Sequence, residues 1–599
     1  MTLPPAVPTA TPWPLPWRSA WLGAAVAVVA LVAGVPLFLR MPPWCDLTLY
    51  DVAARNLLDG GVHYRDVFDT NMPGFVWLLA MVRWLFGWSV EAVRIVDLLI
   101  VGGIVFVLER LAAAGGASRA VRAWAIAAVV LFYLFQSEFN HVQRDIWMML
   151  PALIAVGLRF RRLADTSQSR GEAFRDAVLE GILWGVAVWI KPHVVIPAVT
   201  VWLLTAARGR PFVDLLGQVL GGGAIGLIGI AYLVHSGTWP HFIDVFTTWN
   251  TGYAATMFAE LPMRYYRQLH YFPPFSFLQY LSLPVAGLSI LEGRPWCRRP
   301  VGPGFLGRHF PAWLWDAGAS DRVRFARLVL AGLYLGWTAQ ALYFQRDFHY
   351  VHVPETLMLL FVLATQRWAA GAFVTAWLAI SSAIVLAGSM PAANVTGVGP
   401  EGGPEWAVLH PALDPQRMKH WPDCWRLEIP TTEYRRRMNA VGLVHEFHAA
   451  NDWEQLGEVT DWLAAHDVKD GEVVGWHDST HAAYLDLHIK PGIRFQHVSH
   501  ISGLGGEERE RVDAELERVA PQVRYVISDL LRVSADGPKQ LDDPNAPGVA
   551  PGLLPPGLAE HVRQDFPFNQ PAVFRSNGGH GRYIIHELRH PFTQPHKGS

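Results

Sequence analysis

Apolar residues in the first two thirds of this chain fall in long, nearly unbroken runs rather than in the alternation of a half-buried strand. The runs lie at residues 19–39, 93–108, 123–135, 146–158, 177–190, 194–206 and 215–234, then at 275–291, 328–344, 356–364 and 370–387. Several are short, but most approach the length of a helix crossing a hydrocarbon core, which predicts about eleven spans. The first run is too long for the core of a signal peptide, is flanked by Arg18 and Arg40, and reads as a retained span. Residues 75–88 are apolar but short and interrupted by Arg83, which suits a helix lying in the interface.

From about Pro391 the pattern turns polar, with proline punctuation as far as Pro430. Helices are then expected at 453–466, 482–488 and 507–519, and strands at 472–476, 494–498, 523–528 and 582–587, with loop at 542–557. Such alternation predicts a small α/β domain with a largely parallel sheet. The fold class is therefore a polytopic α-helical membrane protein with a soluble C-terminal α/β domain. Its division is a membrane part over 1–390, with a long first outer loop at 41–92, and a soluble part over 391–599.

Composition agrees with the pattern. Hydrophobic residues make up 51% of the chain and charged residues 17%, too little charge to cover a soluble protein of 599 residues. Many of the 26 tryptophans, among them Trp17, Trp44, Trp88 and Trp239, sit at the ends of apolar runs, where amphipathic rings settle at headgroup level. A net charge of −2 and the lack of a basic tract give no reason to expect nucleic acid. Cys45, Cys297 and Cys424 cannot build a disulfide framework, although a Cys45–Cys424 bridge is conceivable if both lie outside the cell.

Arginines orient the spans. They gather in every second connection, as at Arg110, Arg119 and Arg122, at Arg159, Arg161 and Arg162, at Arg208 and Arg210, and from Arg294 to Arg324. By the positive-inside bias these connections are cytoplasmic, with the N-terminus inside and the C-terminal domain outside.

The opposite loops hold the candidate chemistry. The first carries Asp46, Asp51, Asp59, Asp66 and Asp69. A helix over 47–58 would place Asp51 about one turn after Asp46, near one face, and Gly60-Gly61 would end it. The plain alternative is a solvated acidic loop. The second loop, SEFNHVQRD, ends in Arg144 and Asp145 against an apolar run, where ionisable groups are costly. The third is Lys191-Pro192-His193, whose lysine could simply snorkel to the headgroups. The fifth, QRDFHYVHVPE, concentrates Gln345, Arg346, Asp347, His349, Tyr350 and His352. Acids, cations and histidines on one side describe a cleft for an anionic, membrane-borne substrate. Farther on, His477-Asp-Ser-Thr-His481 is spaced like the zinc-protease H-E-x-x-H, which needs both histidines on one helix. Here a strand precedes the motif and Asp478-Ser479-Thr480 read as cap chemistry, so a turn with surface histidines is the better reading.

These loops resemble the GT-C superfamily of polyprenyl-phosphate-sugar-dependent glycosyltransferases, which includes protein mannosyltransferases and lipid A aminoarabinose transferases. The resemblance is carried by the acidic first loop from Asp46 to Pro73, by Asp145, by the span ending Gly185 to Lys191-Pro192, and by the Gln345–Pro354 loop. That last loop departs from the commoner form, with Arg346-Asp347 where a Gly-Lys pair is frequent. The resemblance implies a sugar donor linked through phosphate to a long isoprenoid and a glycan, lipid or protein acceptor at the outer face of a cytoplasmic (inner) membrane. It points to Asp46 as general base, with inversion at the sugar. Asp51 and Asp145 would shape the acceptor pocket or hold a divalent cation, magnesium or manganese. Lys191 and Arg346, then Arg144, His193 and His352, would receive the lipid phosphate. Rival readings are a transporter or lipid flippase, which would favour mid-span charges and internal repeats, and a non-catalytic assembly factor.

Overall fold

A computed structural model describes residues 17–164, 168–249, 275–293, 318–346, 348–366, 419–426, 429–439, 451–496, 506–533 and 553–589, with isolated residues between them. Helices stand at ten of the expected runs. They are α1 (Trp17–Arg40), α4 (Val90–Ala114), α5 (Arg119–Leu134), α6 (Arg144–Ala164), α7 (Arg170–Ile190), α8 (Val195–Thr205), α9 (Pro211–His235), α11 (Phe275–Gly293), α12 (Asp321–Tyr343) and α13 (Val353–Ala364). Between them come α2 (Cys45–Leu58), α3 (Gly74–Phe86) and α10 (Trp239–Asp244). The run at 370–387 and the boundary near Pro391 lie outside the described residues. By length and composition two described helices, α1 and α9, are apolar enough to cross a membrane, and α3 is a shorter apolar helix.

Local chemistry sets the helix limits. Ser89, Ser118 and Ser320 cap α4, α5 and α12 through their side-chain oxygens, and Ser169 forms a capping box with Glu172 at the start of α7. The α7 and α9 helices meet through glycines. A Cβ at Gly181 would lie 2.2 Å from the Gln218 carbonyl, and one at Gly221 would lie 2.0 Å from that of Val178. Backbone contact of this kind packs helices where apolar solvent removes the hydrophobic drive.

The C-terminal part holds α14 (Thr431–Arg437), α15 (Trp453–Ala465), α16 (Ala482–Leu487), α17 (Gly506–Val519) and a four-stranded sheet. Its strands are β1 (Val473–Gly475), β2 (Tyr525–Asp529), β3 (Ala572–Arg575) and β4 (Tyr583–Glu587), in the order β1-β2-β4-β3. The sheet is mixed, correcting the parallel expectation: β1 and β2 run parallel, but β4 is antiparallel to both β2 and β3. A short turn through Asn577 and Gly578, both at positive φ, joins β3 to β4, and so short a connection can only make a hairpin. The β3 strand was not anticipated. The strand expected at 494–498 does not form over its described residues, where carbonyls are taken by a side chain and by the first long loop. Gln496 Nε2 donates to the carbonyls of Ile493 and Arg494, and the Phe68 amide donates to Arg494 as well.

This sheet domain leans on the first long loop. Tyr64 and Phe68 share a buried cluster with Val474, Trp476, Ile493 and Phe495. Cys45 and Cys424 are both buried and no disulfide joins them, so the conceivable bridge is not made; the Cys45 thiol donates to Asp46 Oδ1 at 3.8 Å and the Cys424 thiol to the His420 carbonyl at 3.5 Å. His477 and His481 are buried, not on the surface as expected. His477 Nδ1 accepts the Asp529 amide at 2.9 Å, and His481 Nε2 lies 2.5 Å from the Gln496 carbonyl.

Candidate active site

The first turn of α2 carries Asp46, where a carboxylate complements the positive end of the helix dipole. Gln143 Nε2 reaches across to donate to Asp46 Oδ2 at 3.4 Å, while also bonding the Phe139 carbonyl at 2.8 Å. Immediately after Gln143, α6 opens with Arg144 and Asp145, both buried. Lys191 Nζ donates to both Asp145 oxygens, at 2.7 and 2.9 Å.

Lys191 stands there because of its neighbour. A residue before proline is driven from the helical region, and Lys191 adopts φ −157° and ψ 116°, ending α7 beside the start of α6. Its ammonium also lies 5.7 Å from the centre of the Tyr350 ring, in the short turn His349–His352 that precedes α13. Burial pushes the Lys191 ammonium down to about 8, against the opposing pull of Asp145.

Arg144 is the exception. Its guanidinium lies 5.4 Å from the Tyr50 ring centre, and the residue is 8% exposed. Among the described residues it makes no ion pair, and its Nε has no hydrogen-bond partner. Nearby, Asn71 Nδ2 links the Tyr50 hydroxyl at 3.2 Å to Asp69 Oδ1 at 2.6 Å, leaving Asp69 Oδ2 buried without a partner.

The other expected residues take different places. Asp51 is buried and held bidentately by Arg83 at 2.6 and 2.8 Å. At 3.6 residues per turn, five residues carry it about 140° round α2 from Asp46, so the two acids do not share a face. Arg83 thereby turns inward from α3 rather than interrupting an interfacial helix. His193 is half-buried, with its imidazole pushed down to about 4 by burial and then by Lys191. His352 Nδ1 lies 2.5 Å from Glu355 Oε1, an oxygen that also accepts from Gln268 and Gln279. Arg346 is half-buried at the start of the same loop, and Asp347 lies outside the described residues.

The three aspartates do not fit a shared cation. Asp51 and Asp145 are each committed to a basic side chain, and Asp46 faces Gln143. Among the described residues no three His, Cys, Asp or Glu side chains are grouped to hold a metal. Gln143, Arg94 and Asp97 belong to no motif; the signal for the last two is their charge inside the apolar run at 93–108.

No known family matches the sequence, and no curated protein does. Among solved structures, the chain is similar to ArnT from Cupriavidus metallidurans bound to undecaprenyl phosphate, with a TM-score of 0.45 and 13% identity over 96% of this chain and 99% of that one. It is also similar to the oligosaccharyltransferase of Archaeoglobus fulgidus in the apo form, with a TM-score of 0.42 and 13% identity over 87% of this chain and 71% of that one. The archaeal oligosaccharyltransferase AglB from the same organism, in complex with an inhibitory peptide and a dolichol-phosphate, gives a TM-score of 0.39 at 12% identity over 86% and 70%.

Proposed function

We propose that this chain is an integral membrane glycosyltransferase that moves a sugar from a polyprenyl-phosphate donor to a hydroxyl of a glycan, lipid or protein acceptor. The observation that carries the reading is the buried Arg144, a cation without an ion pair among the described residues, next to the Asp145–Lys191 pair and close to Asp46. A buried charge is stable when paired, and a lipid phosphate is the kind of partner this corner lacks.

The membrane setting is supported by the apolar faces of α1 and α9, where Val29, Leu216, Leu220 and Leu227 are exposed. The arginine bias places the N-terminus in the cytoplasm and the sheet domain outside, at the same face as the site. Leu531 of that domain packs with Trp44, Cys45, Phe139 and Tyr350, a contact that supports a role for the domain in selecting the acceptor.

In the proposed reaction Asp46 accepts the proton of the acceptor hydroxyl as its oxygen attacks the anomeric carbon. The bond from that carbon to the phosphate oxygen breaks, and its electron pair stays on the phosphate. Arg144 and Lys191 stabilise the charge that develops there, with Arg346, His193 and His352 as outer partners. A single displacement inverts the anomeric centre. Asp51, held by Arg83, shapes the wall on the far side of α2.

The test is release of polyprenyl phosphate by the purified full chain from polyprenyl-phosphate hexoses and pentoses. Asp46→Asn is expected to slow release by roughly 10²–10⁴-fold. No release with any donor, or equal release by the variant, would sink the reading. The rival, a transporter or flippase, draws on the ionisable residues buried within helices, such as Arg159 and Glu180. Lipid movement across proteoliposomes without sugar transfer would favour it.

A further inference from the structure

Two ionisable residues one turn apart on α4, Arg94 and Asp97, are fully buried and bond none of Asp46, Arg144, Asp145 or Lys191. Each nevertheless holds a segment that carries those residues. Asp97 Oδ2 accepts the Val142 amide at 3.3 Å and the Tyr133 hydroxyl at 2.6 Å, and Oδ1 accepts the Trp147 indole N–H at 2.7 Å. Val142 and Trp147 bracket Gln143, Arg144 and Asp145.

The hold on Val142 has a local reason. Its φ is 56°, a left-handed conformation that a β-branched residue rarely adopts, so the chain stays there only where its surroundings fix it. An ionised carboxylate is suited to the task because it accepts from several donors and offers none of its own. Arg94 acts on the other side. Its Nη2 donates to the Pro42 carbonyl at 3.0 Å, with the Met41 carbonyl at 3.5 Å, in the extended stretch that feeds into α2 and Asp46. One helix thus grips the entry to both segments whose side chains meet at Gln143 and Asp46.

We infer that Asp97 is a positioning residue for the lipid-phosphate site, setting Arg144 and Asp145 through Val142 and Trp147, and that Arg94 does the same for the segment bearing Asp46. The inference rests on the transferase reading proposed above.

Binding of undecaprenyl phosphate to the full chain in lipid nanodiscs tests it. Asp97→Asn keeps the shape but loses acceptor capacity, and affinity is expected to fall about tenfold or more. Trp147→Phe leaves the carboxylate in place and removes one grip on the segment, for a fall of about threefold. Tyr133→Phe removes a bond to the same carboxylate but no grip, and affinity should hold. Arg94→Lys should slow sugar release while affinity holds. Unchanged affinity in both Asp97→Asn and Trp147→Phe, or an equal loss in Tyr133→Phe, would overturn the positioning role of Asp97. Unchanged release by Arg94→Lys would overturn that of Arg94. A wild-type chain that binds no undecaprenyl phosphate would instead overturn the transferase reading, and the inference with it.

Discussion

The two ends of α6 bury charge in opposite ways. At its C-terminal end Arg159 and Arg162 both reach Glu180, at 3.2 and 2.8 Å, and Gln218 adds a third bond to the same carboxylate at 2.6 Å. Arg159 also donates to Thr205 at 2.6 Å, and Asp214 lies 3.8 Å from Arg162. Each of these cations has a carboxylate within the bundle. At the N-terminal end Lys191 occupies Asp145, and Arg144, one residue earlier in the chain, is left without an ion pair among the described residues. Desolvated charges persist in proteins when they are paired. The far end therefore pairs its cations within the bundle and ties α6, α7, α8 and α9 together. The near end is where the proposed lipid phosphate would supply the missing anion.

That contrast can be broken most sharply at Glu180. Glu180→Ala would leave two arginines buried without their shared partner, and a loss of about 3–5 kcal/mol is expected by denaturant unfolding in detergent. Affinity of the folded fraction for undecaprenyl phosphate should not move. A stable Glu180→Ala protein that has lost affinity would mean that the far end, too, serves the ligand.

Arg144→Gln probes the other end. Arg144 makes no ion pair among the described residues, so stability should stay within about 1 kcal/mol, while affinity for undecaprenyl phosphate drops roughly 10- to 100-fold. Equal affinity would place the phosphate elsewhere.

The smallest effect is one of pH. Lys191 is held down to about 8 by burial, so raising the pH through that value removes its charge in the folded protein. Affinity for the lipid phosphate should weaken by a few-fold (about 1 kcal/mol for one charge-assisted bond), and Lys191→Arg should abolish the dependence because a guanidinium stays charged. Stability moves the other way. The unfolded lysine keeps its proton up to its ordinary 10.5, so between about 8 and 10.5 the unfolded chain binds more protons and folding grows more favourable as pH rises. Titrations of binding and of unfolding should thus run in opposite directions.

Much of the helical part was legible because an apolar run of helix length has few other ways to satisfy its backbone in an apolar setting. Ten expected runs are helices, and Gly60-Gly61 end α2 where turn chemistry said they should. The sheet was less legible. The β3 strand is short and only partly buried, and the parallel expectation overlooked how little chain joins it to β4. Around the site, the sequence pointed to the right loops but not to the partners within them. Asp51 and Arg83 lie 32 residues apart, Asp145 and Lys191 46, and Arg417 reaches back 279 residues to Glu138.

What the chain determined by itself is local: helix lengths from apolar runs, the end of α7 from Lys191-Pro192, and the gathering of acids and cations into loops. What only the tertiary structure decided is which charges neutralise one another. Asp46 and Asp51 look equivalent along the sequence, yet the rotation of α2 hands one to Arg83 and turns the other towards Gln143. Coulomb energies and desolvation depend on distance and burial in three dimensions, and spacing along the chain encodes neither. Arg144 stands out as a candidate ligand for an anion only once its neighbours have been seen to pair with each other.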